Sequence, residues 1–156
     1  MSEQLVKEFW QEFEQTLNKR EREDAQYEVW AFGADENMAR ELLDLVKSGD
    51  KTATCSLFRM YEVEGESLPQ EDDYNIITDW SGHPEIITRT TSVDIIPFNK
   101  VPEDFAYKEG EGDKSYEYWH REHVAFFTKE MTSINETFED DQPVVCEEFE
   151  VVFQKD

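Results

Sequence analysis

A lysine and a threonine, Lys51 and Thr54, follow Gly49 in the stretch SGDKTATCSLF. An amine and a hydroxyl that share one pocket can divide acyl transfer between a nucleophile, a proton acceptor and a donor to the oxyanion. By spacing alone the stretch also reads more plainly, as a glycine closing a helix and a lysine set against the helix's negative end. In a regular strand positions 51 and 54 face opposite ways, so one pocket can hold both only where the backbone is irregular, at a bulge or a barrel rim. Glu147 is a second candidate, because it interrupts the apolar face formed by Val145, Phe149, Val151 and Phe153. A carboxylate there must be paired or titrate high. Lys51 is one possible partner, and a structural salt bridge at a rim is the alternative.

Other chemistry-bearing residues form weaker sets. His120 and His123 lie on one helix face, but no third ligand accompanies them, and packing or exposure accounts for both. Glu109, Glu111 and Asp113 lack the full spacing of a calcium loop. Cys55 and Cys146 have no Cys-x-x-Cys spacing and read as reduced, packed thiols. The expectation is therefore no metal and no cofactor. Trp80 and Trp119 read either as core or as faces on which a planar base could stack.

These residues need elements to hold them. Leu5, Phe9, Phe13 and Leu17 recur every four residues with Val6 and Trp10 beside them, which predicts a helix over residues 3–19. NKREREDA then reads as a solvated connection and EVWAF as a short strand or extended segment. A second helix is expected to start at Asp35 as N-cap, turn Met38, Leu42, Leu45 and Val46 inward, and close at Gly49. TATCSLF, YNIITDW and EIITRTTSVDII alternate with period two and read as strands of an antiparallel or mixed sheet. PEDFAYKE reads as a short helix begun by Pro102 and broken by the glycines of EGEGD. KSYEYWHREHVAFFTKEM follows as a long helix with an aromatic face, and DDQPVVCEEFEVVF closes as a strand. Central and terminal strands with helices between them predict an α+β fold.

The chain has 156 residues, enough for one domain with a real core, and 13% aromatic residues to build it. Its 38 acidic residues against 15 basic give a formal charge of -23. Affinity for polyanions comes mainly from clustered Lys and Arg, so this field disfavours long nucleic acid and anionic lipid. A small ligand of little charge escapes that repulsion. No apolar run reaches the length of a membrane span, and MSEQLVKEFWQEFEQ is acidic and amphipathic where a secretory leader is basic and then apolar. A cytoplasmic location away from membranes is expected.

The segment SGDKTATCSL resembles the Gly-x-Lys-x-x-Thr/Ser signature of the ASCH domain superfamily. FAYKEGEGD, YWHREHVAFF and PVVCEEFEVVF resemble further segments of that family in the same order, so the likeness spans roughly residues 27–153. It implies a PUA-like small β-barrel of about five to six strands with flanking helices, preceded by a helical extension at residues 1–26, with the domain itself at 27–156. It also implies a cleft between barrel and first core helix. Some ASCH proteins are amidohydrolases that deacetylate acetylcytidine with a lysine, a threonine and a glutamate, and by position these fall on Lys51, Thr54 and Glu109. Gly49, Ser56, Arg59, Trp80, Trp119 and Glu147 are the residues expected to contact a nucleoside-like ligand. Ser56 stands where those enzymes carry an arginine, which bears on substrate identity, and Arg59 is the nearest replacement. A non-catalytic RNA- or nucleotide-binding module and a ribonuclease are the alternative functions within the resemblance.

Amide deacylation constrains the roles further. A threonine hydroxyl is a nucleophile only if a neighbour accepts its proton, and Lys51 could do so only when neutral. A lysine ordinarily titrates at about 10.4, and the acidic field raises it, so only strong desolvation would free the amine. The other division of labour keeps Lys51 as a cation that holds Glu109 or the oxyanion.

Overall fold

The computed structural model describes residues 2–33 and 35–154, so the expected limits at residues 1 and 156 lie outside the described residues. Among the described residues six α-helices and five strands follow in order: α1 Ser2–Glu14, α2 Lys19–Asp24, β1 Tyr27–Trp30, α3 Glu36–Ser48, β2 Ala53–Leu57, α4 Phe58–Glu64, β3 Tyr74–Thr78, β4 Pro84–Pro97, α5 Glu103–Glu109, α6 Tyr116–Ser133 and β5 Pro143–Gln154. The strands form one sheet in the order β1-β3-β4-β5-β2, parallel only between β1 and β3. The fold is α+β with a mixed, barrel-like sheet.

Isoleucine pairs explain how the sheet is covered. Ile76 faces Ile87 across β3 and β4, and Ile77 faces Ile86. Neighbours in a strand point to opposite faces, so each face gains one pair. On one face α1 lays Val6, Phe9, Trp10 and Phe13 over Ile76 and Ile87. On the other, Leu43 and Val46 of α3 pack with Phe32 on Ile77, Ile86 and Phe149. A third cluster joins β2, β5, α5 and α6 around Phe98, Trp119 and Phe127.

Several elements differ from the sequence reading. The first helix stops at Glu14, and the charged run forms α2, because Asn18 accepts from the Glu21 backbone N–H while the Glu21 side chain reaches back to the Asn18 N–H. Phe58 opens a helix instead of ending a strand. Asp35 caps α3 and Gly49 closes it with φ 88°, but the buried face is Ala39, Leu43 and Val46. In β5 the pairing with β4 slips between Ile87 and Thr88. That irregularity turns Val151 outward while Val152 and Phe153 join the cluster under α1. No helix among the described residues is long and apolar enough to cross a membrane.

Candidate active site

Gly49 sets the lysine in place. Its left-handed turn lets the Lys51 N–H bond back to the Leu45 carbonyl at 3.0 Å, so Lys51 lies ahead of the pleat that starts at Ala53. This is the irregular backbone that allows Lys51 and Thr54 to border one cavity. The opposing wall comes from the turn after α5. Gly110, with φ 70°, rests so tightly on the lysine turn that a Cβ would stand 2.0 Å from the Asp50 carbonyl oxygen. Only glycine permits that approach. It brings Glu109 and Glu111 against the ammonium.

Lys51 is 2% exposed and Glu109 1%. The lysine Nζ lies 3.3 Å from Glu109 Oε1 and 3.0 Å from Glu111 Oε2. Glu109 Oε2 faces His123 Nε2 at 2.9 Å and also accepts the Trp119 indole N–H. His123 Nδ1 lies 2.8 Å from the Trp119 carbonyl oxygen, which can only accept, so Nδ1 carries a proton. Trp119 itself is stacked against His123, with ring centroids 4.4 Å apart, and against Phe98 and Tyr116.

Charge follows from these contacts. Burial works against the Lys51 ammonium, but Glu109 and then Glu111 outweigh it and hold its pKa above the ordinary value. Burial likewise opposes ionised Glu109, yet Lys51, His123 and Trp119 pull its pKa down to about 2. His123 is desolvated too, and Glu109 more than compensates, raising its pKa. Lys51 is therefore a fixed cation in this arrangement, and Glu109 an anion with both oxygens engaged. Glu109, Glu111 and His123 bring ligand atoms within 4.8 Å of one another, a metal-like spacing. Lys51 already supplies the positive charge at that point.

The cavity holds about 450 Å³, a size suited to a small molecule. Lys51, Thr54, Cys55, Glu109, Glu111 and His123 border it on one side, and Trp30, Phe32, Met38, Tyr118 and Phe126 give it an apolar wall. Its walls include β2, one edge of the sheet, and Trp30 of β1, the other edge. The sheet thus curls until its two edges flank a single cleft.

Of the residues expected from the sequence, Lys51, Thr54 and Glu109 meet here. Trp119 is buried behind Glu109 and anchors it, leaving no open face for a base. Gly49 shapes the turn without lining the cavity. Ser56 shares a hydrogen bond with the Tyr61 hydroxyl, and Arg59 forks onto Glu136 at 2.8 Å. Trp80 is 49% exposed in the turn between β3 and β4. Glu147 accepts from the Thr90 hydroxyl at 2.7 Å, so its partner is Thr90 and not Lys51. His120 packs on Phe98 and Tyr116. His123, which the sequence offers only beside His120, stacks instead on Trp119 one turn earlier on α6 and reaches Glu109 with Nε2.

A family model described as the ASCH domain matches residues 28–153. The chain belongs to the ASCH domain family. The crystal structure of an ASCH domain from Lactobacillus crispatus JV V101 is similar at 35% identity and TM-score 0.92, over 97% of this chain and 96% of that one. A protein from Enterococcus faecalis V583, described by the family model DUF984, is similar at 41% identity and TM-score 0.84, over 96% of this chain and 88% of that one. A hypothetical protein at 20% identity and TM-score 0.53, covering 81% of this chain and 98% of that one, shares the fold alone. No curated protein matches the sequence. The ASCH match begins after α1 and α2 and takes in every residue of the cluster around Lys51.

Proposed function

We propose that this ASCH domain hydrolyses the amide of a small N-acylated nucleoside or a closely related compound. The observation that carries the reading is the meeting of Lys51, Thr54 and Glu109 at one aromatic-walled cavity of about 450 Å³. Thr54 is the nucleophile. Lys51, fixed as a cation between Glu109 and Glu111, is placed to stabilise the oxyanion that forms when the acyl carbon is attacked. Glu109 and its donors keep the ammonium in position. Trp30, Phe32 and Phe126 offer apolar surface to a planar base.

Surface charge supports a small ligand over a polymer. Lys47 is paired with Glu85 at 2.5 Å, Arg59 with Glu136 at 2.8 Å, and Arg89 with Asp72 at 2.5 Å and Glu150 at 2.9 Å. None of these cations presents a bare charge to phosphate. The test is a screen of acetylated and other N-acylated nucleosides for hydrolysis, with Lys51→Ala and Glu109→Gln as controls. Turnover in the parent and its loss in both variants is expected; near-normal turnover in either variant would sink the assignment. Tight RNA binding that weakens steeply with salt would replace this reading with a binding module.

A further inference from the structure

The proton of Thr54 needs an acceptor, and the charged residues of the Lys51 cluster are committed to one another: Glu111 pairs with Lys51 at 3.0 Å. Lys51 is an ammonium, and Glu109 is engaged by three donors. Directly across the sheet, however, Thr54 of β2 faces Glu147 of β5. Residues opposed in an antiparallel pair point the same way with Cβ atoms about 4.5–5.5 Å apart. Glu147 is 7% exposed.

A chain of hydrogen bonds, buried from Asn75 onward, holds that carboxylate. The Trp30 indole N–H donates to Asn75 Oδ1 at 2.9 Å, the Asn75 amide to Thr90 Oγ1 at 3.5 Å, and the Thr90 hydroxyl to Glu147 Oε2 at 2.7 Å. The chain crosses from β1 to β5 on one face of the sheet, beginning at the cavity wall and ending at Glu147, the register partner of Thr54. Oε1 of Glu147 receives no hydrogen bond among the described residues, and no buried side-chain oxygen there lacks a partner. Oε1 must therefore account for part of the small exposure.

We propose that Glu147 is the proton acceptor for Thr54, oriented by the Trp30–Asn75–Thr90 chain. The hydroxyl proton passes to Glu147 as the bond from Oγ1 to the acyl carbon forms. In the amide reaction the acyl–nitrogen bond then breaks and the same proton ends on the departing amine; water cleaves the threonyl ester and restores the hydroxyl. Burial, against which the Thr90 hydrogen bond works, raises the Glu147 pKa, as suits an acceptor.

Only the amide step rests on the proposed function. The activation of Thr54 is testable without any nucleoside, using p-nitrophenyl acetate, whose leaving group departs as an anion and needs no proton. Intact mass and peptide mapping should find acetyl on Thr54 in the parent and none in Thr54→Ala. Glu147→Gln should label about 100-fold more slowly, the scale of a lost proton acceptor, and lose the rise of rate with pH. Thr90→Val, which keeps the carboxylate but frees it, should show a smaller loss. A parent unlabelled at Thr54, or either Glu147→Gln or Thr90→Val labelling at the parent rate, overturns the proposal. A parent that labels at Thr54 but cleaves no N-acylated nucleoside sinks the proposed function and leaves this inference standing.

Discussion

Lys51 and Glu85 centre the same motif with the signs exchanged. Lys51 is a cation between two carboxylates, whereas Glu85 is a carboxylate between Arg40 at 2.7 Å and Lys47 at 2.5 Å. The side chains of Lys51 and Glu109 are 1% and 2% exposed, against 44% for Arg40 and 26% for Lys47. Both centres hold a glutamate down to about 2, Glu109 by Lys51 against burial and Glu85 chiefly by its Arg40 hydrogen bond. Equal displacements do not mean equal consequences. At the surface water screens the charges and each pair contributes about 0.2–1 kcal/mol. Inside, each ion costs several kcal/mol to desolvate, and apolar residues of similar volume often serve stability as well. Stability gives little reason to bury this cluster, which borders the cavity that the proposed hydrolysis would use.

The contrast breaks most severely at Gly110. Gly110→Ala forces a Cβ into the Asp50 carbonyl from a left-handed backbone and should cost more than about 3 kcal/mol, a Tm drop of roughly 6–12 °C. Thermal unfolding measures it, and an unchanged Tm would mean that the turn is not packed as described.

Lys51→Met comes next. Removing one partner of a buried pair costs about 3–5 kcal/mol. The sign of its pH dependence follows from Glu109, whose folded pKa of about 2 lies below its ordinary 4.5. The ionised form stabilises the fold above 4.5, and that contribution is lost as pH falls from 4.5 to about 2. The deficit of Lys51→Met should therefore be full at pH 7 and shrink towards pH 2. Urea melts across that range decide it, and a deficit independent of pH would refute the pairing. Adding Glu109→Gln should recover part of the loss.

Glu85→Gln should cost about 1 kcal/mol at low salt, and 1 M NaCl should erase most of it while leaving the Lys51→Met deficit in place. A salt-insensitive Glu85 effect would remove the distinction between the two centres. The smallest effect has the opposite direction. Burial raises the Glu147 pKa above 4.5, so its stabilising form is the protonated one, present below 4.5 and lost as pH rises through the folded value. Glu147→Gln should gain stability at pH 7 and none at pH 3, read by urea melts at both.

Local signals in the sequence carried most of the framework. Asp35 and Gly49 mark the ends of α3 because capping depends on residues a few positions apart. The capping box of α2 is equally local, but six highly charged residues hide it. The inward face of α3 was read in part, with Val46 buried and Leu42 packed beside it, but Ala39 and Leu43 take the centre because docking on Ile77 and Ile86 chooses among several apolar positions. The slip in β5 depends on its pairing with β4, which no single strand encodes. Within the site, Lys51 and Thr54 came from one short motif and Glu109 from likeness to a family. His123 and the Thr90 partner of Glu147 were hidden, since both contacts arise only when separate elements pack.

Trp119 gives the cluster a voice of its own. Its indole donates to Glu109 and lies 4.4 Å from the His123 ring. Light absorbed by an indole is lost readily to a neighbouring imidazolium, and of the chain's four tryptophans Trp119 is the one seated against a histidine that Glu109 holds towards its charged form. A ligand that draws Lys51 away from Glu109 alters that charge and with it the emission. A Trp119→Phe difference spectrum would isolate that signal from Trp10, Trp30 and Trp80 and turn the buried cluster into its own indicator.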